Sequence, residues 1–160
     1  MSSLAQPAAG RAVRLAGIIL IVAPVLALIV KAYSLGWMIF IVMMIAPLLV
    51  VGYALQIVVA ANGMLRARGA LRQARGGMRA VAAAWATSVG VVLTAFFFVD
   101  GGDQGWGSTF MLMSGLESNV AAGDVSTILC WIAGVVWLAG WVWLVVEWII
   151  ALVERRRAAA

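Results

Sequence analysis

"ILCWIAGVVWLAGWVWLVVEWIIALV" fills residues 128–153 and holds one carboxylate, Glu147, and no basic side chain. The run exceeds the roughly 20 helical residues needed to cross a hydrocarbon core. It is also far too apolar for a soluble surface helix. Its surroundings agree: 66% of the chain is hydrophobic and 11% charged, against about 25% charged in a typical soluble domain. The chain cannot clothe itself in an aqueous surface, so it reads as an integral membrane protein.

Four apolar stretches emerge, at residues 15–30, 36–61, 80–99 and 125–153. None alternates with the two-residue period of a barrel strand. Helices then satisfy the backbone within lipid. The expected fold is all-α: a polytopic four-transmembrane-helix antiparallel bundle forming one domain over residues 15–153. Residues 1–14 are expected to be a mobile N-terminus, 62–79 an inner basic loop, 100–124 an outer loop, and 154–160 a basic tail.

Charge sets the orientation. Lys31 is the one lysine among 11 basic residues, leaving ten arginines. Arg11 and Arg14 precede the first stretch. Arg66, Arg68, Arg72, Arg75 and Arg79 lie between the second and third, and Arg155, Arg156 and Arg157 follow the fourth. An even number of spans gathers all of them on one side, which the positive-inside rule makes cytoplasmic, with both termini there. The opposite loops receive Lys31, Asp100, Asp103, Glu117 and Asp124. Residues 66–79 and 155–157 are therefore expected to meet anionic lipid headgroups. The first stretch has the basic start and apolar core of a signal peptide, and is read as a retained signal anchor. Arginine-rich, alanine- and glycine-rich composition points to a bacterial plasma membrane protein.

Composition also removes chemistries. The chain has no histidine and one cysteine, Cys130. That excludes a Ser-His-Asp triad, a histidine-bound metal and an internal CxxC pair. No phosphate-binding glycine loop is present. "DGGDQGWG", residues 100–107, lacks the alternating ligands and closing glutamate of a calcium loop. Scattered methionines read as apolar packing. No cofactor, metal or nucleic acid is expected, nor enzymatic activity.

Local signals shape the connections. "KAYSLG" is short enough to make the first two spans a hairpin. Residues 108–119 are expected to form an interfacial helix, with Phe110, Met111, Met113 and Leu116 toward the bilayer and Glu117 in water. Pro24 and Pro47 each delete a backbone donor inside a span and are expected to kink it.

At 100° per residue, Trp131, Trp137, Trp141 and Trp148 share one face of the fourth span. Ala133, Gly140, Glu147 and Ala151 lie almost opposite. Small residues admit close helix approach. The small face is thus expected to point into the bundle, and the tryptophan face toward a partner protein or lipid. Glu147, Gln56 and Thr87 or Ser88 reach similar depths from the basic side. They are expected to form an intramembrane polar layer, with Glu147 protonated and hydrogen-bonded to a neighbouring helix.

These features point to a non-catalytic accessory, assembly or scaffolding subunit that packs against other membrane helices through its fourth span. Other membrane subunits or further copies of the chain are its expected partners. The competing expectation is a small homo-oligomeric channel or transporter for ions or protons using Glu147, because intramembrane ionisable groups often mark transport paths.

Overall fold

The computed structural model describes residues 5–34, 36–73, 77–103 and 105–159. Helix α1 spans Ala5–Ala32 and α2 spans Met38–Val59, the latter running into a π turn at Ala60–Leu65. A single turn, α3 (Ala70–Gln73), leads to α4 (Gly77–Phe97). Strands β1 (Asp100–Gly102) and β2 (Gly105–Gly107) pair antiparallel, and α5 (Thr109–Met113) precedes α6 (Val120–Ala159).

Among the described residues, four helical segments are long and apolar enough to cross a membrane: Gly10–Ala32, Met38–Leu65, Gly77–Phe97 and Val120–Ala158. The protein is thus mostly helical and built as a multi-pass membrane protein. Helix begins at Ala5, so the described part of residues 1–14 is ordered into α1. The basic tail likewise continues α6. At 1.5 Å per residue, the 40 residues of α6 extend about 60 Å, roughly twice the hydrocarbon thickness. At least one end of α6 must therefore project beyond that core.

The packed centre is a three-helix unit of α1, α4 and α6. Its main cluster joins Val13, Ala16 and Leu20 of α1 to Ala80, Ala83 and Ala84 of α4 and Leu144 and Ala151 of α6. Val59, Met64 and Leu71 close it from the α2–α3 side. Alanine dominates because van der Waals contact, rather than water exclusion, holds helices together in lipid, and small side chains bring backbones close. A second cluster of Ala23, Ala27 and Val91 continues the α1–α4 contact.

Helix α2 behaves differently. No residue from Met38 to Leu55 is buried. The helix is attached at its two ends and unpacked between them, in place of the close α1–α2 hairpin expected from the short connection. The physical cause lies in α1. Pro24 has no N–H, so the Leu20 carbonyl four residues earlier loses its helical donor. Gln56 Nε2 of α2 donates to that oxygen at 2.6 Å, and Tyr53 Oη donates to the adjacent Ile21 carbonyl at 2.8 Å. The proline thus creates the acceptor that fastens one end of α2.

The loop after α4 folds onto the helix ends. Ser108 caps α5, its Oγ accepting from Met111 N, and it hydrogen-bonds Ser126 Oγ at 2.7 Å. Ser126 in turn donates to the Phe97 carbonyl. Phe110 packs with Phe96 and Phe97, and Met111 is fully buried. The expectation of a bilayer-facing interfacial helix over 108–119 therefore fails for Met111, and the helix is confined to Thr109–Met113. Helix α5 is too short to be amphipathic on its own and uses the ends of α4 and α6 as its apolar surface. Met113 does remain exposed.

Candidate functional site

The sequence directs attention to α6, whose inward face is made by close approach to α4. A Cβ on Gly140 would lie 2.8 Å from Thr87 N, and one on Gly90 of α4 would lie 2.7 Å from Trp137 N. Two glycines on opposite helices thus each receive the other backbone. The register falls along α6 as it rises along α4, Cys130 Sγ lying 3.7 Å from the Thr94 carbonyl. Ala133, Gly140, Leu144, Glu147 and Ala151 are all buried.

The four tryptophans do not share one outward surface. Trp131 is 73% exposed. Trp141 is half-buried. Trp137 turns inward over Gly90 and packs on the Ala23–Ala27–Val91 cluster. Trp148 packs on the main core beside Gly63, and its Nε1 is buried without a hydrogen-bond partner. The expected tryptophan face is corrected accordingly: the missing side chains of Gly90 and Gly63 open slots that single-helix periodicity does not register.

Glu147 is 8% exposed. Its Oε1 accepts from Trp143 Nε1 at 3.1 Å, one turn earlier on the same helix, and lies 3.5 Å from Arg79 Nε. An indole and a guanidinium stand where hydrogen bonds to Gln56, Thr87 or Ser88 were expected. Arg79 sits at the first turn of α4 with its side chain 68% exposed. It therefore reaches Glu147 while keeping solvent contact, as long arginine stems allow.

The other members of the expected polar layer are buried but do not converge. Gln56 serves the Leu20 carbonyl, Thr87 Oγ1 donates to the Ala83 carbonyl of its own helix, and Ser88 Oγ has no hydrogen-bond partner. Equal depth placed them in one layer; their azimuths around three different helices separate them.

The arginines gather at one end. Arg155 Nη2 donates to the Arg68 carbonyl at 2.5 Å, joining the tail of α6 to the α2–α4 connection. Arg66, Arg68, Arg156 and Arg157 are exposed, and Arg72 is half-buried near Gly10 of α1. Arg75 lies outside the described residues.

Sequence reading missed the polar cluster at the opposite end. Lys31 Nζ lies 3.3 Å from Asp100 Oδ2, and Asp100 is almost wholly buried. The pair is oblique, since Oδ2 has no aligned hydrogen-bond donor. Lys31 also donates to the Ser34 carbonyl at 2.7 Å and sits 5.0 Å from the centre of the Phe98 ring. Asp100 Oδ1 accepts from Met38 N, at the start of α2, and from Gly101 N. Trp37 N donates to the Gly101 carbonyl. Ser34 Oγ bonds Thr109 Oγ1, which reaches the Val30 carbonyl. A carboxylate at the N-terminus of α2 complements its free N–H groups and dipole. The available signal was the single lysine at the end of an apolar span, with an aspartate just after another span.

Among the described residues, no three His, Cys, Asp or Glu side chains converge as a metal site. The geometry offers two polar anchors at opposite ends of the molecule and a long apolar helix fastened between them. No protein-family model, curated protein or solved structure matches this chain.

Proposed function

We propose that the chain is a non-catalytic integral membrane subunit that supports assembly by packing against other membrane helices. The observation that carries this reading is α2: it is bound by polar contacts at both ends and offers unburied apolar side chains throughout its middle. The most exposed row, Met44, Leu48 and Val51, runs at helical i, i+4, i+7 spacing. The docking surface thereby moves from the fourth span to the second, because Trp137 and Trp148 are engaged within the chain. The proposed setting is a bacterial plasma membrane, as an antiparallel arrangement with both termini cytoplasmic and the arginines against anionic headgroups.

The transport reading has weaker support. The Lys31–Asp100 and Arg79–Glu147 pairs lie at opposite ends, and alanine- and valine-rich packing separates them along α1 and α4. Each pair fastens helices locally.

The test is photo-crosslinking from Met44 or Leu48 in native membranes, with the exposed Thr127 of α6 as the comparison site. A discrete protein adduct from α2 supports the subunit role. Adducts to lipid alone at both α2 positions overturn it. Proton or cation flux through liposomes that Glu147→Gln abolishes would establish the transport reading instead.

A further inference from the structure

On the flank of α1 away from α2, a groove of about 410 Å³ opens between α1 and α4. Ile18, Val22 and Leu26 form one wall, and Val89, Val92 and Leu93 the other, with Ser88 at its base contributing only carbon surface. Arg11, Arg14, Ile18 and Val22 fall at i, i+3, i+7 and i+11, so both arginines share the groove-facing side of α1. Both are exposed, and neither has a carboxylate partner among the described residues.

Length and charge choose the occupant. From Arg14 to Leu26 the helix rises about 18 Å, close to the roughly 15 Å hydrocarbon depth of one leaflet. An acyl chain laid along residues 18–26 therefore brings its headgroup to the level of Arg11 and Arg14, whose guanidinium groups complement a phosphate.

We infer that this groove is a binding site for one anionic glycerophospholipid, its acyl chain between α1 and α4 and its phosphate on Arg11 and Arg14. Lipid tails are as apolar as the groove, so the tail gains contact and shape while the headgroup supplies selectivity. The site is independent of the assembly role proposed for α2.

The full chain is placed in nanodiscs of equimolar phosphatidylcholine and phosphatidylglycerol, and retained lipid is counted by native mass spectrometry. One phosphatidylglycerol should be retained in preference to phosphatidylcholine by roughly thirtyfold, the scale of two arginines on an anionic surface. Arg11→Gln with Arg14→Gln should abolish that preference. Val22→Trp, which fills the groove from a lipid-exposed position, should release the retained lipid with the arginines intact. Val89→Phe repeats that test from α4, and circular dichroism confirms folding. Equal retention of both lipids, persistence of the preference without Arg11 and Arg14, or full retention in folded groove-filled variants would each overturn the site.

Discussion

Helices α2 and α6 are similarly apolar, with mean hydropathies of 2.6 and 2.2 over their most apolar 18-residue windows, yet α6 is built into the core and most of α2 is not. The difference lies in small residues that meet a partner backbone. Gly140 of α6 faces Thr87, and Gly90 of α4 faces Trp137. Gly52 of α2 meets nothing within 4 Å. In lipid, hydrophobicity inserts a helix but does not pair it; close contact and hydrogen bonds do. Helix α6 is held along its length by contact, whereas α2 is held at its ends by polar atoms.

The largest expected effect falls on the outer anchor. Asp100→Ala removes the acceptor of Met38 N and leaves Lys31 without its carboxylate. Breaking a buried pair from one side costs about 3–5 kcal/mol. Denaturant titration in detergent should show that loss, and the distance between labels on α2 and α4 should broaden. A narrow, unchanged distance would mean that α2 does not depend on this anchor.

Next comes the packed helix. Gly90→Val and Gly140→Val should each destabilise by about 2–3 kcal/mol, because the added carbons overlap backbone atoms. Gly52→Val should be close to neutral. Equal costs at all three positions would erase the distinction between the helices.

The inner anchor is weaker. Gln56→Leu strands the carbonyl freed by Pro24 and should cost about 1 kcal/mol, the scale of one membrane hydrogen bond. Adding Pro24→Ala restores a donor to Leu20 O and should recover most of that loss. Double-mutant additivity would show that Gln56 and Pro24 do not act through the same carbonyl.

The smallest effect belongs to Glu147→Gln, at under about 1 kcal/mol. The amide oxygen can still accept from Trp143, and Arg79 remains in solvent contact, where ion pairs contribute little. Glu147→Leu should cost more, since Trp143 Nε1 loses its acceptor. If Gln and Leu proved equally harmful, the charge on Glu147 would be the essential feature.

Much of the candidate site was outside the reach of single-helix reasoning. Depth along each span placed Glu147, Gln56, Thr87 and Ser88 at one level, but depth carries no information about which way each helix is turned. The tryptophan face failed for the same reason: Trp137 and Trp148 are drawn inward by gaps at Gly90 and Gly63, which lie far away in sequence. The attachment of α2 was partly legible, because Pro24 guarantees an orphaned carbonyl at Leu20 and α2 carries a polar side chain, Gln56, able to donate to it.

By itself, the sequence determined that four helices are apolar and long enough to span a membrane, and that the arginines cluster apart from Lys31 and Asp100. Composition and helical rise suffice for both, since insertion is a sum over the residues of each segment. Only the tertiary structure decided that α2 stands off from a three-helix core, that Glu147 meets Arg79, and that Lys31 meets Asp100. Those outcomes depend on the mutual rotation and register of helices. In a lipid solvent as apolar as the side chains themselves, these are fixed by pairwise contacts between distant residues rather than by the hydrophobicity of any one segment.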